Sequence, residues 1–169
     1  MKPTKLHLAI GMAVALCPVA ASADVVIVTH PGLKCVEHSD LSPELYYSGG
    51  NAYNDATGTN TFVCPAEKTY IYDGADSVFV DEGYWSAVVD DNNASYNFSC
   101  YLRSCNSLGT SCVNSATINS SGTGVQNLSG FGSVFASGSY TNYMYLRCTV
   151  PGKVGSASSG IKSYMTYEF

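Results

Sequence analysis

Apolar side chains in this sequence alternate along short runs instead of recurring every three or four residues. In Tyr84-Trp85-Ser86-Ala87-Val88-Val89, one parity carries Trp85, Ala87 and Val89 and the other Tyr84, Ser86 and Val88. Period two is the signature of a half-buried strand. Further runs rich in β-branched and aromatic residues are Val25–Thr29, Thr61–Cys64, Ser77–Val80, Ser95–Leu102, Thr141–Val150 and Ile161–Tyr167, each bounded by Gly, Ser, Asn or Asp. No helical stripe competes with them, so the pattern predicts an all-β domain, a sandwich or a barrel. Two hairpins are expected. Asp90-Asp91-Asn92-Asn93 separates Tyr84–Val89 from Ser95–Cys100, and Asn and Asp tolerate the left-handed backbone of a tight turn. Asn119–Gly124 would likewise join Cys112–Ile118 to Val125–Phe135.

The first 23 residues follow a different pattern. Lys2 and Lys5 precede an uncharged, mostly apolar run from Leu6 to Val19, and Ala21-Ser22-Ala23 supplies small residues for cleavage. This is the layout of a secretory signal peptide. Residues 1–23 are therefore expected to be removed, leaving 169 − 23 = 146 residues, 24–169, as one domain. No later stretch is long and apolar enough for a membrane helix. Loss of Lys2 and Lys5 takes the formal net charge from −5 to −7. The remaining basic residues are scattered along the chain, which argues against a nucleic-acid partner, since that needs a clustered basic face.

Export changes the reading of the cysteines. Cys35, Cys64, Cys100, Cys105, Cys112 and Cys148 remain after cleavage, and an even number in an oxidising compartment predicts disulfides. Spacing alone leaves all of the roughly 15 pairings open. The absence of any Cys-x-x-Cys pair or Cys/His cluster argues against zinc.

Several segments then form a skeleton: Thr61-Phe62-Val63-Cys64-Pro65, Val88–Asn92 leading to Phe98-Ser99-Cys100, Ser120–Gly124, and Tyr145-Leu146-Arg147-Cys148-Thr149-Val150-Pro151. From Cys35 to Tyr164 the chain resembles a family of small, uncharacterised exported bacterial proteins. That resemblance implies a single antiparallel two-sheet β-sandwich, jelly-roll-like, with Cys35 paired to Cys64 and Cys100 to Cys148. It implies no activity and no catalytic residues. Cys105 and Cys112 depart from the family pattern; their proximity suggests a local bridge, with crossed pairing to Cys100 as the alternative.

Candidate chemistry is sparse. A serine hydrolase needs a histidine held by one group and serving another; only His30 and His38 remain in the mature chain, with no Gly-x-Ser-x-Gly elbow. Both read as exposed loop residues. Asp73, Asp76, Asp81 and Glu82 form the densest acidic group but lack EF-hand spacing. No catalytic set, cofactor or metal site is expected.

Tyrosine is the suggestive residue, 13 against one Trp and six Phe. Tyr46, Tyr47, Tyr53, Tyr84 and Tyr96 stand among polar neighbours. Rings can stack on pyranose C–H faces while Asn51, Asn54 and Asp55 bond hydroxyls; tyrosine is equally an ordinary half-buried strand residue. The expectation is an exported, non-catalytic, monomeric binding domain, secreted or periplasmic, whose partner is an extracellular glycan or cell-surface component met by Tyr46, Tyr47, Tyr53, Asn51 and Asn54. Its alternative is an envelope or fimbrial-type subunit assembling by strand addition from Val25–Thr29. A third reading, a small outer-membrane barrel, rests on the alternating, aromatic segment Tyr164–Phe169.

Overall fold

A computed structural model of the chain describes residues 28–38, 45–66, 82–106, 108–133 and 143–168. The expected signal segment, Val25 to Ile27, the expected strand Ser77–Val80 and the acidic residues Asp73, Asp76 and Asp81 lie outside them.

The strands are β1 (Val28–Pro31), β2 (Val36–Glu37), β3 (Leu45–Ser48), β4 (Asn51–Asn54), β5 (Asn60–Ala66), β6 (Glu82–Asp91), β7 (Ser99–Cys105), β8 (Cys112–Asn114), β9 (Ile118–Asn119), β10 (Gly124–Ser133), β11 (Tyr143–Val150) and β12 (Ser159–Glu168). They form two antiparallel sheets. The first runs β10-β6-β12-β4-β3, with β1 also on β12; the second runs β2-β5-β11-β7-β8, with β9 also on β7. The fold is a jelly-roll-like β-sandwich. Among the described residues the strands make two sheets around an apolar core and not one closed sheet, which argues against the barrel reading.

Alternation decides what goes inside. Trp85, Ala87 and Val89 of β6, with Ile161 and Tyr164 of β12, meet Phe62 of β5, Leu102 of β7 and Met144, Leu146 and Val150 of β11. Trp85 is fully enclosed, and burial obliges its indole N–H to find an acceptor. Ser115 Oγ provides it at 3.1 Å and also accepts the Leu102 N–H at 2.9 Å. This explains why Cys112–Ile118 is two short strands and not one: at Ser115 a side chain replaces a rung of the ladder. Gly132 of β10 makes room, because a Cβ there would sit 2.1 Å from Ser115 Cβ.

Neither expected hairpin forms. β6 pairs with β10 and β12, while β7 pairs with β11, β8 and β9. The Asp/Asn turn is an arch from the first sheet to the second, and residues 95–98 belong to it and not to a strand. Asn93 Oδ1 accepts the N–H groups of Ser95 and Tyr96, and Asn93 Nδ2 donates to Gly152 O. Asn119–Gly124 is a second arch, returning the chain from β9 to β10. Asx turns serve an arch as well as a hairpin.

The bridges are Cys35–Cys64, Cys100–Cys148 and Cys105–Cys112. Cys100 lies directly opposite Cys148 in the β7–β11 ladder, and Cys105 opposite Cys112 between β7 and β8.

Replacing Cys100 and Cys148 by serine should cost about 2–5 kcal/mol in urea unfolding. Removing Cys105–Cys112, which closes a separation of 7 residues against 48, should cost less. Ser115→Ala strands two buried donors and should cost about 1–3 kcal/mol, read from the fluorescence of Trp85, the chain's one tryptophan.

Candidate functional site

The β3–β4 hairpin turns through Gly49 and Gly50, both at positive φ (58° and 87°), which a tight two-residue connection demands. Its register sets Tyr46 opposite Tyr53, Tyr47 opposite Ala52 and Ser48 opposite Asn51. Ala52 and Asn54 are buried, so Tyr46, Ser48, Asn51 and Tyr53 take the outer face and Tyr47 has the inward parity.

On that outer face the Tyr46 and Tyr53 rings stack, centroids 5.1 Å apart and planes 18° from parallel. Asn51 Nδ2 donates to Tyr53 Oη at 2.9 Å and fixes the ring's direction. Beneath Tyr53 lies Gly160 of β12, where a Cβ would come within 2.4 Å of Tyr53 Cδ1. Only a glycine lets the ring lie flat against the sheet. Gly160 pairs in turn with Asp90, and Asp90 with Val125. A transverse row therefore crosses five strands: Tyr46, Tyr53, Gly160, Asp90, Val125. A bulge between Ile161 and Ser163 displaces Lys162 from the ladder, and its Nζ meets Asp90 Oδ2 at 3.2 Å.

Of the five residues singled out from sequence, three share this face: Tyr46, Tyr53 and Asn51. Tyr47 is strapped elsewhere, its hydroxyl donating to Cys35 O at 2.8 Å. Asn54 is a correction. It is 0% exposed; its Nδ2 donates to the carbonyls of Gly58, Val150 and Pro151, and its Oδ1 accepts from Ala56 N and Asn60 Nδ2. An amide saturated by the backbone has nothing left for a ligand. Asp55 is exposed and paired with Lys153 at 3.1 Å. Tyr84 packs edge-on against Phe131 at 4.9 Å, and Tyr96 is exposed on the first arch.

The sequence reading missed Gly160, Asp90 and Lys162. The only local signal was the bulge-prone Gly160-Ile161-Lys162 break in alternation, which does not name a partner strand.

His30, expected on an exposed loop, is buried in β1 against Tyr164, ring centroids 5.0 Å apart. Its Nδ1 lies 3.1 Å from Lys34 Nζ. An ammonium at that nitrogen is the opposite of the carboxylate that orients a catalytic imidazole. His38 is exposed and donates its backbone N–H to Thr61 O. A shallow depression of about 150 Å³ lies on the first sheet among Thr29, Ser86, Val88, Ser163 and Met165. This is below the ~300 Å³ at which small-molecule clefts begin, so this depression does not enclose a small molecule. Among the described residues no helix is long and apolar enough to cross a membrane.

No protein-family model matches the chain, and no curated protein does. Among solved structures, the chain is similar to a family 6 carbohydrate-binding module, with a TM-score of 0.48 and 12% identity, over 84% of this chain and 94% of that one.

Asn54→Ala would strip three carbonyls and two donors of their partner. It should lower stability by about 2–3 kcal/mol in chemical denaturation, and by far more than Tyr46→Ala, at a residue that is 41% exposed.

Proposed function

We propose that the domain is an exported, non-catalytic, monomeric module that binds a glycan across the outer face of its first sheet. The observation that carries this reading is the Tyr46–Tyr53 pair, held by Asn51 and set in one row with the Asp90–Lys162 ion pair. Sugars combine apolar C–H faces with hydroxyls that both donate and accept. Pre-oriented rings meet the first need, and a fixed carboxylate and ammonium meet the second, with little rotamer entropy left to lose. The neighbouring depression is too small to enclose a substrate, which favours binding over turnover. Three disulfides are compatible with an oxidising compartment outside the cytosol.

The strand-donating subunit competes less well, because β1 is already paired with β12 from Val28↔Thr166 to Pro31↔Ser163. A donor strand must leave its own sheet free to be completed by a neighbour.

Size-exclusion chromatography should give a monomer, and a glycan array should give at least one ligand. Tyr46→Ala and Tyr53→Ala should each weaken that ligand by about tenfold or more while shifting the unfolding midpoint little. A monomer that binds no glycan, or full binding by both variants, defeats the reading.

A further inference from the structure

The opposite side of the sandwich carries a second pattern, unrelated to Tyr46 and Tyr53. The chain has two arginines, Arg103 and Arg147, 44 positions apart in sequence (147 − 103). The ladder between β7 and β11 brings them together. Arg103 pairs with Tyr145, and Arg147 pairs with Tyr101. The four residues therefore form a checkerboard, the arginines on one diagonal and the tyrosines on the other, with diagonal Cα atoms about 7–8 Å apart. All four have outward parity, since Cys100, Leu102, Met144, Leu146 and Cys148 between them are buried.

The charge state of this patch is unusual for the molecule. Lys153 and Lys162 each sit on a carboxylate. Among the described residues neither arginine has an ion pair or a hydrogen-bonded acceptor. Arg103 and Arg147 are both half-buried, and Arg103 Nε is closed off from solvent with no acceptor at all. Holding a half-desolvated guanidinium without a counter-charge is costly, and two of them together in a chain of net charge −5 leave a local site for an anion. The rings extend the patch, with Tyr143 stacked beside Tyr145 at 6.2 Å and 13°.

We infer that this face binds a carboxylate-bearing polysaccharide, one built from uronic acid units. A guanidinium fork matches a carboxylate with two parallel hydrogen bonds, and the tyrosines between the forks supply flat apolar surface for the ring of the same sugar. Two guanidiniums are too few for a nucleic acid, whose affinity is a sum over many phosphates. They are also too few for an anionic membrane, which recruits clusters of four to eight basic residues. This second face is independent of the glycan reading for the first sheet, and each can fail alone.

Affinity electrophoresis of the mature domain through gels containing polygalacturonate tests it. Retardation by polygalacturonate, but not by its fully methyl-esterified form or by a neutral glucan, is the expected result. It should weaken as salt is raised. Arg103→Gln and Arg147→Gln should each reduce affinity by about tenfold, the loss of one charged hydrogen-bonded pair. Val154→Ala, at an exposed residue outside both faces, should leave it unchanged. Equal retardation by the methyl ester overturns the inference without any variant, so it stays testable even if an arginine variant fails to fold. Unchanged binding by both arginine variants, no binding to polygalacturonate, or arginine-dependent binding of duplex DNA or phosphatidylserine vesicles in its place also overturns it.

Discussion

A buried carboxylate, Asp91, ties together two of the places where the chain crosses between sheets. Its Oδ1 accepts the N–H of Asn93, and its Oδ2 accepts the Ser120 hydroxyl at 2.6 Å and the N–H of Phe98 at 3.4 Å. Asn93 and Phe98 belong to the β6–β7 arch, and Ser120 to the β9–β10 arch. The two arches thus share one acceptor in a fully enclosed position. Ser120 completes the joint by accepting the Phe98 N–H with its own oxygen at 2.8 Å. Without these bonds the buried N–H groups of Asn93 and Phe98 and the Ser120 hydroxyl would lack partners where the two arches meet.

This joint also explains what could and could not be read from sequence. The inward set of β6 was legible because Trp85, Ala87 and Val89 alternate with more polar neighbours, a property of the strand alone. Partner strands were not legible. Asp91 and Asn93 look the same locally whether they turn the chain back on itself or carry it across the core, and what chooses is Ser120, nearly thirty residues later. The β3–β4 hairpin carried a readable Gly-Gly turn, but its strands are short and tyrosine-rich, so alternation gave them little weight.

The outer platform was half visible for the same reason. Tyr46, Asn51 and Tyr53 sit on one hairpin and could be grouped by proximity. Gly160, Asp90 and Lys162 join them only through β12. Asn54 looked like a surface amide because its neighbours are polar; its true surroundings are backbone carbonyls of residues 58, 150 and 151, which no window around position 54 contains. The two arginines are the converse case, scattered in sequence and adjacent in the ladder. A sandwich has two outward faces built from unrelated strands, so it can carry two chemistries without either disturbing the other.

The position of β12 has a kinetic meaning. It lies between β6 on one side and β4 and β1 on the other, so the described first sheet is in three pieces, β10-β6, β4-β3 and β1, until residues 159–168 arrive. Contacts that span so much of the chain are slow to form, and a chain made from its N-terminus has released every other described strand before this one appears. The domain is thus held open during synthesis by its own topology.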